Sequence, residues 1–382
     1  MKIVGRQYWL QKIRELWMKR PIVWLSGVRR AGKTCLCRSI PDTAYYDCEL
    51  PRSRRAMEDP ESFWEEHRGK TVILDAIHRL PNPSEFLKIA ADHFPKTRIL
   101  ATGSSSLGAT SRFKDTLTGR KLELRLTPLI SEDLKDFGRS DLKRRLLRGG
   151  LPPMYLAEGD PEREYVEWMD AYWAKDIQDL FRLERRFSFL RFTELLFMQS
   201  GGMFEASGFS RPCEVSRTTI SNYLSVLETT RIMIVLRPFS RRRSAEIVSA
   251  PKVYGFDTGF ICHFKGWESL REDNRGLLWE HFVLNEILAR LQGRDLYYWR
   301  DKRHHEIDFI VRKKGKGVLA IECKWSAGHF DPRGMIAFRK AYPEGRNIVI
   351  SQDVDRRFQR RYGDQIVEYV PLPELASLIE DQ

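Results

Sequence analysis

The chain holds six cysteines, Cys35, Cys37, Cys48, Cys213, Cys262 and Cys323, with no CxxC pair and no Cys/His cluster at zinc spacing. A zinc-finger reading is thereby excluded, and the thiols read as small buried hydrophobes in a reducing compartment. No run approaches the roughly 18 to 20 apolar residues of a membrane span. The first twenty residues, MKIVGRQYWLQKIRELWMKR, carry charges throughout and lack the apolar core of a signal peptide. A cytoplasmic protein without a membrane partner is expected. Internal repeats and low-complexity tracts are also missing. Acidic excess is missing too: Lys+Arg number 65 against 52 Asp+Glu, a net charge of +13. That balance favours polyanionic partners, nucleic acid before anionic membrane, although a basic surface without any site has the same composition.

What is present is globular. The composition is 42% hydrophobic and 31% charged, and 382 residues suggest two or three domains. The first third alternates strands and helices, the pattern of a parallel sheet covered by helices. Strands are expected at 22–27, 44–50, 71–76, 98–105 and 123–129, with helices between Pro60 and His67 and from Ser84 to His93. Between Pro161 and Arg185, Val166, Met169, Trp173, Ile177 and Leu180 recur at helical spacing and predict a packing stripe. Ser216 is a natural N-cap for a helix with Ile220, Tyr223, Leu224 and Leu227 on one face. The β-rich run RIMIVLRPF follows it, so helix plus wing outlines a winged helix. The last 130 or so residues return to α/β with a hairpin at 306–324.

Gly27, Val28, Arg29, Arg30, Ala31, Gly32, Lys33 and Thr34 match GxxxxGK[ST], a Walker A loop behind an apolar strand. Its glycines let backbone amides turn inward around phosphates, Lys33 reaches the β/γ oxygens, and Thr34 can ligate Mg²⁺. Cys35 follows in the same turn. The strand TVIL delivers Asp75 to its carboxyl end as a Walker B acid that holds Mg²⁺. The strand ending in Thr102, Gly103, Ser104 and Ser105 offers a polar group to the γ-phosphate or the attacking water; a simple strand-end cap is the alternative.

These stretches resemble the prokaryotic AAA-family (AAA_14-type) ATPases that carry a C-terminal DUF4143 domain. The matching segments are GVRRAGKT, LDAIHRLPN, ILATGSSS, LTGR, GGLPPMYL, TTISNYLSVLE, KVYGFDTG, LLWEHFVLNEIL, YYWRDKRHHEIDFIV and AIECKWS, in family order across nearly the whole chain. The resemblance implies an AAA+ P-loop domain at 1–145, a helical and winged-helix domain at 146–245 and a nuclease-like α/β domain at 246–382, with DUF4143 over roughly 165–330. It also implies a homo-oligomeric ring of unspecified size, with Arg112 or Arg120 as arginine finger. One departure matters. The family carries Glu after the Walker B aspartate, whereas this chain has Ala76. A positioned general base contributes about 10² to 10⁴-fold, so ATP·Mg²⁺ should be bound and hydrolysed slowly.

The C-terminal hairpin carries a second signal. Asp308 on one strand, and Glu322 and Lys324 on the other, form D-x₁₃-E-x-K, with thirteen residues between the two acids. Period-two alternation sets Glu322 and Lys324 on one face, and Glu280 on a preceding helix can approach it. This is the PD-(D/E)XK arrangement, which the resemblance also implies: Asp308 and Glu322 would hold a second Mg²⁺ and Lys324 would support the nucleophile. An edge hairpin with exposed charges is the bland alternative. Arg217 at the helix start and Arg241, Arg242 and Arg243 in the wing would contact DNA phosphates. The reading is an ATP-driven protein that binds or remodels double-stranded or branched DNA. Its rivals are an ATP-triggered metal-dependent nuclease and a non-enzymatic regulator that gates a protein partner.

Overall fold

The computed structural model describes residues 3–103, 117–178, 181, 183, 185–240, 250–293, 295–312 and 317–380. They form two compact units that interleave along the chain. The first comprises Met1–Asp141, Leu151–Glu184 and Thr229–Arg231; the second comprises Leu142–Gly150, Arg185–Glu228 and Ile232–Gln382.

The first unit is built on β1 (Ile22–Ser26), β2 (Thr43–Asp47), β3 (Thr71–Asp75), β4 (Arg98–Thr102) and β5 (Lys121–Arg125). They lie in the order β2-β3-β4-β1-β5 and every pair is parallel. Continuous apolar runs such as IVWLS suit strands covered on both faces, and each parallel step needs a crossover long enough for a helix. The helices Lys33–Arg38, Pro51–Ala56, Pro60–Glu66 and Pro83–His93 supply most of these crossovers. Asp59 starts one of them, its carboxylate accepting from the amides of Glu61 and Ser62 at 3.1 Å ahead of Pro60. Ile22, Trp24, Val72, Leu74, Trp64 and Phe86 share one buried core with this layer. The expected strands and the two expected helices are therefore all present, and the strand order brings the carboxyl ends of β1, β4 and β3 side by side.

The 161–185 segment differs from its expected packing. It is a helix, Glu162–Tyr172, continued as a π-helix over Trp173–Gln178. Trp173 and Ile177 are buried as expected, but Val166 is 51% exposed, and Leu180 lies outside the described residues. The inward face is set instead by Tyr165, Trp168 and Tyr172, whose larger rings bury more area than Val or Met. Trp168 and Tyr172 stack at 5.4 Å.

The second unit opens with the helices Arg186–Met198, Ala206–Ser210 and Arg217–Thr229. Between and after them come β6 (Gly202–Met203), β7 (Met233–Leu236) and β8 (Lys252–Gly255), an antiparallel sheet in the order β6-β8-β7. Ser216 Oγ accepts from the Thr219 amide at 3.1 Å, and Ile220, Tyr223, Leu224 and Leu227 form the buried face of the helix it caps. The helices Thr258–Lys265 and Glu272–Leu291 lead into a six-stranded mixed sheet. Its strands are β9 (Leu296–Arg300), β10 (Glu306–Arg312), β11 (Val318–Lys324), β12 (Gly345–Ser351), β13 (Phe358–Tyr362) and β14 (Gln365–Val370), ordered β13-β14-β12-β11-β10-β9. The expected 306–324 hairpin is the antiparallel pair β10 and β11. It is no exposed edge: Leu319 to Cys323 are all buried, Glu322 among them. No described helix is long and apolar enough to cross a membrane.

Candidate functional site

At the end of β1 the chain must turn sharply around whatever it binds. Gly27 sits at φ 153° and Gly32 at φ 97°; a Cβ at Gly27 would lie 2.6 Å from the Leu126 carbonyl oxygen, so only glycine fits there. The Lys33 ammonium donates to the carbonyls of Gly27 at 2.7 Å and Val28 at 3.0 Å. Burial pushes its pKa down to about 8 against the opposing pull of Asp176 and Asp75. An anion in the loop would offset that cost. Thr34 is exposed beside it.

Asp75 ends β3 and is buried. Tyr45 Oη donates to its Oδ2 at 2.8 Å, and the Thr102 hydroxyl donates to its Oδ1. Thr102 Oγ1 in turn accepts from the Ala76 amide at 2.9 Å, so the ends of β3 and β4 are locked together. Ala76 adopts φ 58°, the left-handed region, and a 3₁₀ turn over Ile77–Arg79 follows. That turn brings His78 to the cavity. The cavity measures about 300 Å³ and is lined by the phosphate loop together with Asp75, Ala76, His78 and Thr102. Burial and the neighbouring Arg79 hold the imidazole below its usual pKa, and His78 Nδ1 is buried without a hydrogen-bond partner. Arg29 of the loop pairs with Asp176 of the π-helix at 3.0 Å, and Trp168 Nε1 donates to the Arg29 carbonyl at 3.0 Å. An intact cradle, an ammonium held at its mouth by two loop carbonyls and a buried carboxylate at the end of β3 fit a nucleotide with its divalent ion.

In the second unit the structure brings Glu280, Asp308, Glu322 and Lys324 into one cluster, in which Asp308 and Glu322 are buried and the other two half-buried. The pairing of β10 with β9 shifts register between Ile307 and Ile310, a bulge that contains Asp308 and re-aims its side chain. Asp308 Oδ2 accepts from the Cys323 amide at 2.8 Å and lies 3.9 Å from the Lys324 ammonium, which is 2.6 Å from Glu322. A second lysine joins them. Lys252 of β8, 5% exposed, lies 2.6 Å from Glu306 and 3.6 Å from Glu280, and Tyr254 Oη donates to Glu280 at 2.7 Å. Desolvation, then Asp308, pushes Glu280 up to about 7 and Glu322 up to about 8. Among the described residues no group of three or more His, Cys, Asp or Glu is disposed to hold a metal ion. The expected Asp308 and Glu322 metal site is thus two carboxylates already engaged by an amide and an ammonium.

Family matches fall on three successive stretches of the chain, the middle one shared between the two units. Residues 19–134 match the model of an AAA domain, and residues 275–375 match a domain of unknown function, DUF4143. The chain carries an AAA domain and a DUF4143 domain. Between them, residues 139–271 match a second domain of unknown function, DUF8612. The DUF4143 match therefore starts well after the expected residue 165. An uncharacterized protein of Mycobacterium tuberculosis is 28% identical over 326 residues, 82% of this chain and 73% of that protein. One of Haemophilus influenzae is 23% identical over 349 residues, 81% of this chain and 84% of the relative. Among solved structures, a Walker-type ATPase of Pyrococcus abyssi covers 69% of this chain and 96% of its own, with 16% identity and a TM-score of 0.44. The AAA-domain match and the parallel order β2-β3-β4-β1-β5 behind a Walker A loop give this domain the P-loop ATPase fold.

Of the residues expected at the nucleotide, Gly27, Arg29, Arg30, Lys33, Thr34, Asp75, Ala76 and Thr102 line the cavity. Val28 and Ala31 are buried beneath the loop, and Cys35 is half-buried on the Lys33–Arg38 helix without lining the cavity. Ser104, Arg112 and Arg241 to Arg243 lie outside the described residues. Arg120 is held by Asp92 of the Pro83–His93 helix at 2.6 and 3.1 Å and does not line the cavity. Arg217 is exposed at the start of its helix. Sequence reasoning missed His78, Asp176 and Lys252. His78 stood in the quoted LDAIHRLPN segment, three residues after Asp75, but no spacing rule marks it, and nothing local marked the other two.

Proposed function

We propose that the AAA domain binds ATP·Mg²⁺ and turns it over slowly, so that nucleotide occupancy acts as a switch. The carrying observation is the cavity itself: loop, Lys33, Thr34 and Asp75 are all in place, while the residue beside Asp75 is Ala76. Lys33 would hold the β/γ oxygens, Thr34 and Asp75 would hold the ion, and Mg²⁺ would screen phosphate charge. Thr102 fixes Asp75 through its hydroxyl and keeps the carboxylate aimed at the ion. No carboxylate at position 76 can polarise water.

The switch is read out on DNA. Support comes from the order helix, short strand, helix, helix, hairpin in residues 186–255, which is the order of a winged helix, and from exposed Arg217 at the start of its third helix. The wing arginines Arg241, Arg242 and Arg243 would add phosphate contacts, and the net charge of +13 suits a polyanion. The chain assembles as a homo-oligomer, Arg112 or Arg120 of one copy completing a neighbour's nucleotide site. The cluster around Lys252 and Lys324 favours DNA contact or scaffolding over cleavage, because each of its carboxylates already lies within ion-pair distance of an ammonium group.

Gel shifts of duplex and branched DNA, with and without ATP and across salt, test this reading. ATP is expected to tighten binding in the native chain and to have no effect on Lys33→Ala; binding should weaken steeply with salt. No DNA binding at low salt would remove the DNA half of the proposal.

A further inference from the structure

Loss of a carboxylate beside Asp75 leaves open which group meets the attacking water. Within the cavity, Lys33, Arg29, Arg30, Arg79 and Lys175 are cationic and cannot accept a proton as they stand. Asp75 is engaged by Tyr45 and Thr102, and Asp176 is paired with Arg29. Glu49 lies 3.9 Å from Arg79. His78 differs from all of these. The 3₁₀ turn that follows Ala76 sets it on the cavity wall, and no carbonyl or carboxylate anchors its Nδ1. The ring lines the cavity with Nδ1 buried and unpartnered, so Nε2 is the ring nitrogen that can meet a group entering the cavity.

We infer that His78 is the proton acceptor for the attacking water, in place of the carboxylate missing at position 76. The inference rests on the nucleotide reading above. In the step, the water oxygen forms a bond to the γ-phosphorus while the bond from that phosphorus to the β,γ-bridging oxygen breaks. ADP leaves with the electron pair, and the water proton passes to a ring nitrogen of His78 and then to solvent. His78 is neutral for this role because burial and Arg79 disfavour the imidazolium.

The test compares the native chain with His78→Gln, Ala76→Glu and the double variant, by phosphate release and by histidine ring ¹⁵N signals. His78→Gln is expected to lower turnover at least about tenfold, below the roughly 10² to 10⁴-fold of an optimal base, with little change in nucleotide affinity. The same substitution is expected to cost little once glutamate stands at 76. The His78 ring signal, assigned by its loss in His78→Gln, is expected to move with a non-hydrolysable ATP analogue and less with ADP. Unchanged turnover in His78→Gln, or a ring signal indifferent to the analogue, overturns the inference. A chain that binds no nucleotide fails the proposed function first; one that binds it and passes neither test fails this inference alone.

Discussion

His281 shows at the scale of one side chain how burial fixes a protonation state. The Gly255 amide donates to Ser200 Oγ at 2.6 Å, which leaves the hydroxyl proton for His281 Nε2 at 2.7 Å; Nδ1–H then donates to the Leu277 carbonyl at 2.8 Å. The neutral ring with its proton on Nδ1 satisfies both ring nitrogens. Burial pushes the pKa down to about 4, from an ordinary value of 6.5. A depressed folded-state pKa contributes stability that is complete above pH 6.5 and lost as pH falls toward 4. Denaturant unfolding between those limits is expected to weaken with a limiting slope of about 1.4 kcal/mol per pH unit from this group. His281→Gln should flatten that slope; an unchanged slope would contradict the assignment. The placement of Lys33, Thr34 and Asp75 around one cavity was legible because the phosphate loop and the strand end fix it by spacing. That of His78 was not, since it depends on a turn geometry that a motif does not encode.

Among elements, β8, β10, β11 and the Glu272–Leu291 helix converge on one charge cluster. Lys252 comes from β8, more than fifty residues before Glu306, and its ammonium serves two carboxylates that are otherwise poorly solvated. Removing one partner of a buried pair leaves its counter-charge uncompensated. Lys252→Ala is expected to destabilise the chain by about 3 to 5 kcal/mol in chemical denaturation. A loss within about 0.5 kcal/mol, the range of ordinary surface changes, would show that the cluster is not structural. The hairpin and its three polar residues were readable from alternation and D-x₁₃-E-x-K spacing. The added lysine was not, because nothing in the local pattern KVYG points to strands that pair only in three dimensions. Similarly, the 161–185 helix was readable from periodicity, but aromatic size moved its buried face away from Val166.

For the whole molecule, two units interleave: residues 151–184 belong with the nucleotide-binding sheet and residues 185–228 with the second unit. Boundaries near 145 and 245 follow composition and motif order, whereas the units follow contacts made by chain segments that return, which composition does not carry. The five strands of the sheet were legible, though their expected ends ran up to four residues past the observed ones, because parallel strands are continuous apolar runs. Under the proposed switch, function at this scale turns on how long the nucleotide stays intact. The most direct measurement is single-turnover phosphate release from ATP·Mg²⁺ by the native chain and by Ala76→Glu at matched, saturating occupancy. The account expects slow release in the native chain and a rise of about 10² or more when glutamate stands beside Asp75. Equal rates in the two proteins would contradict it.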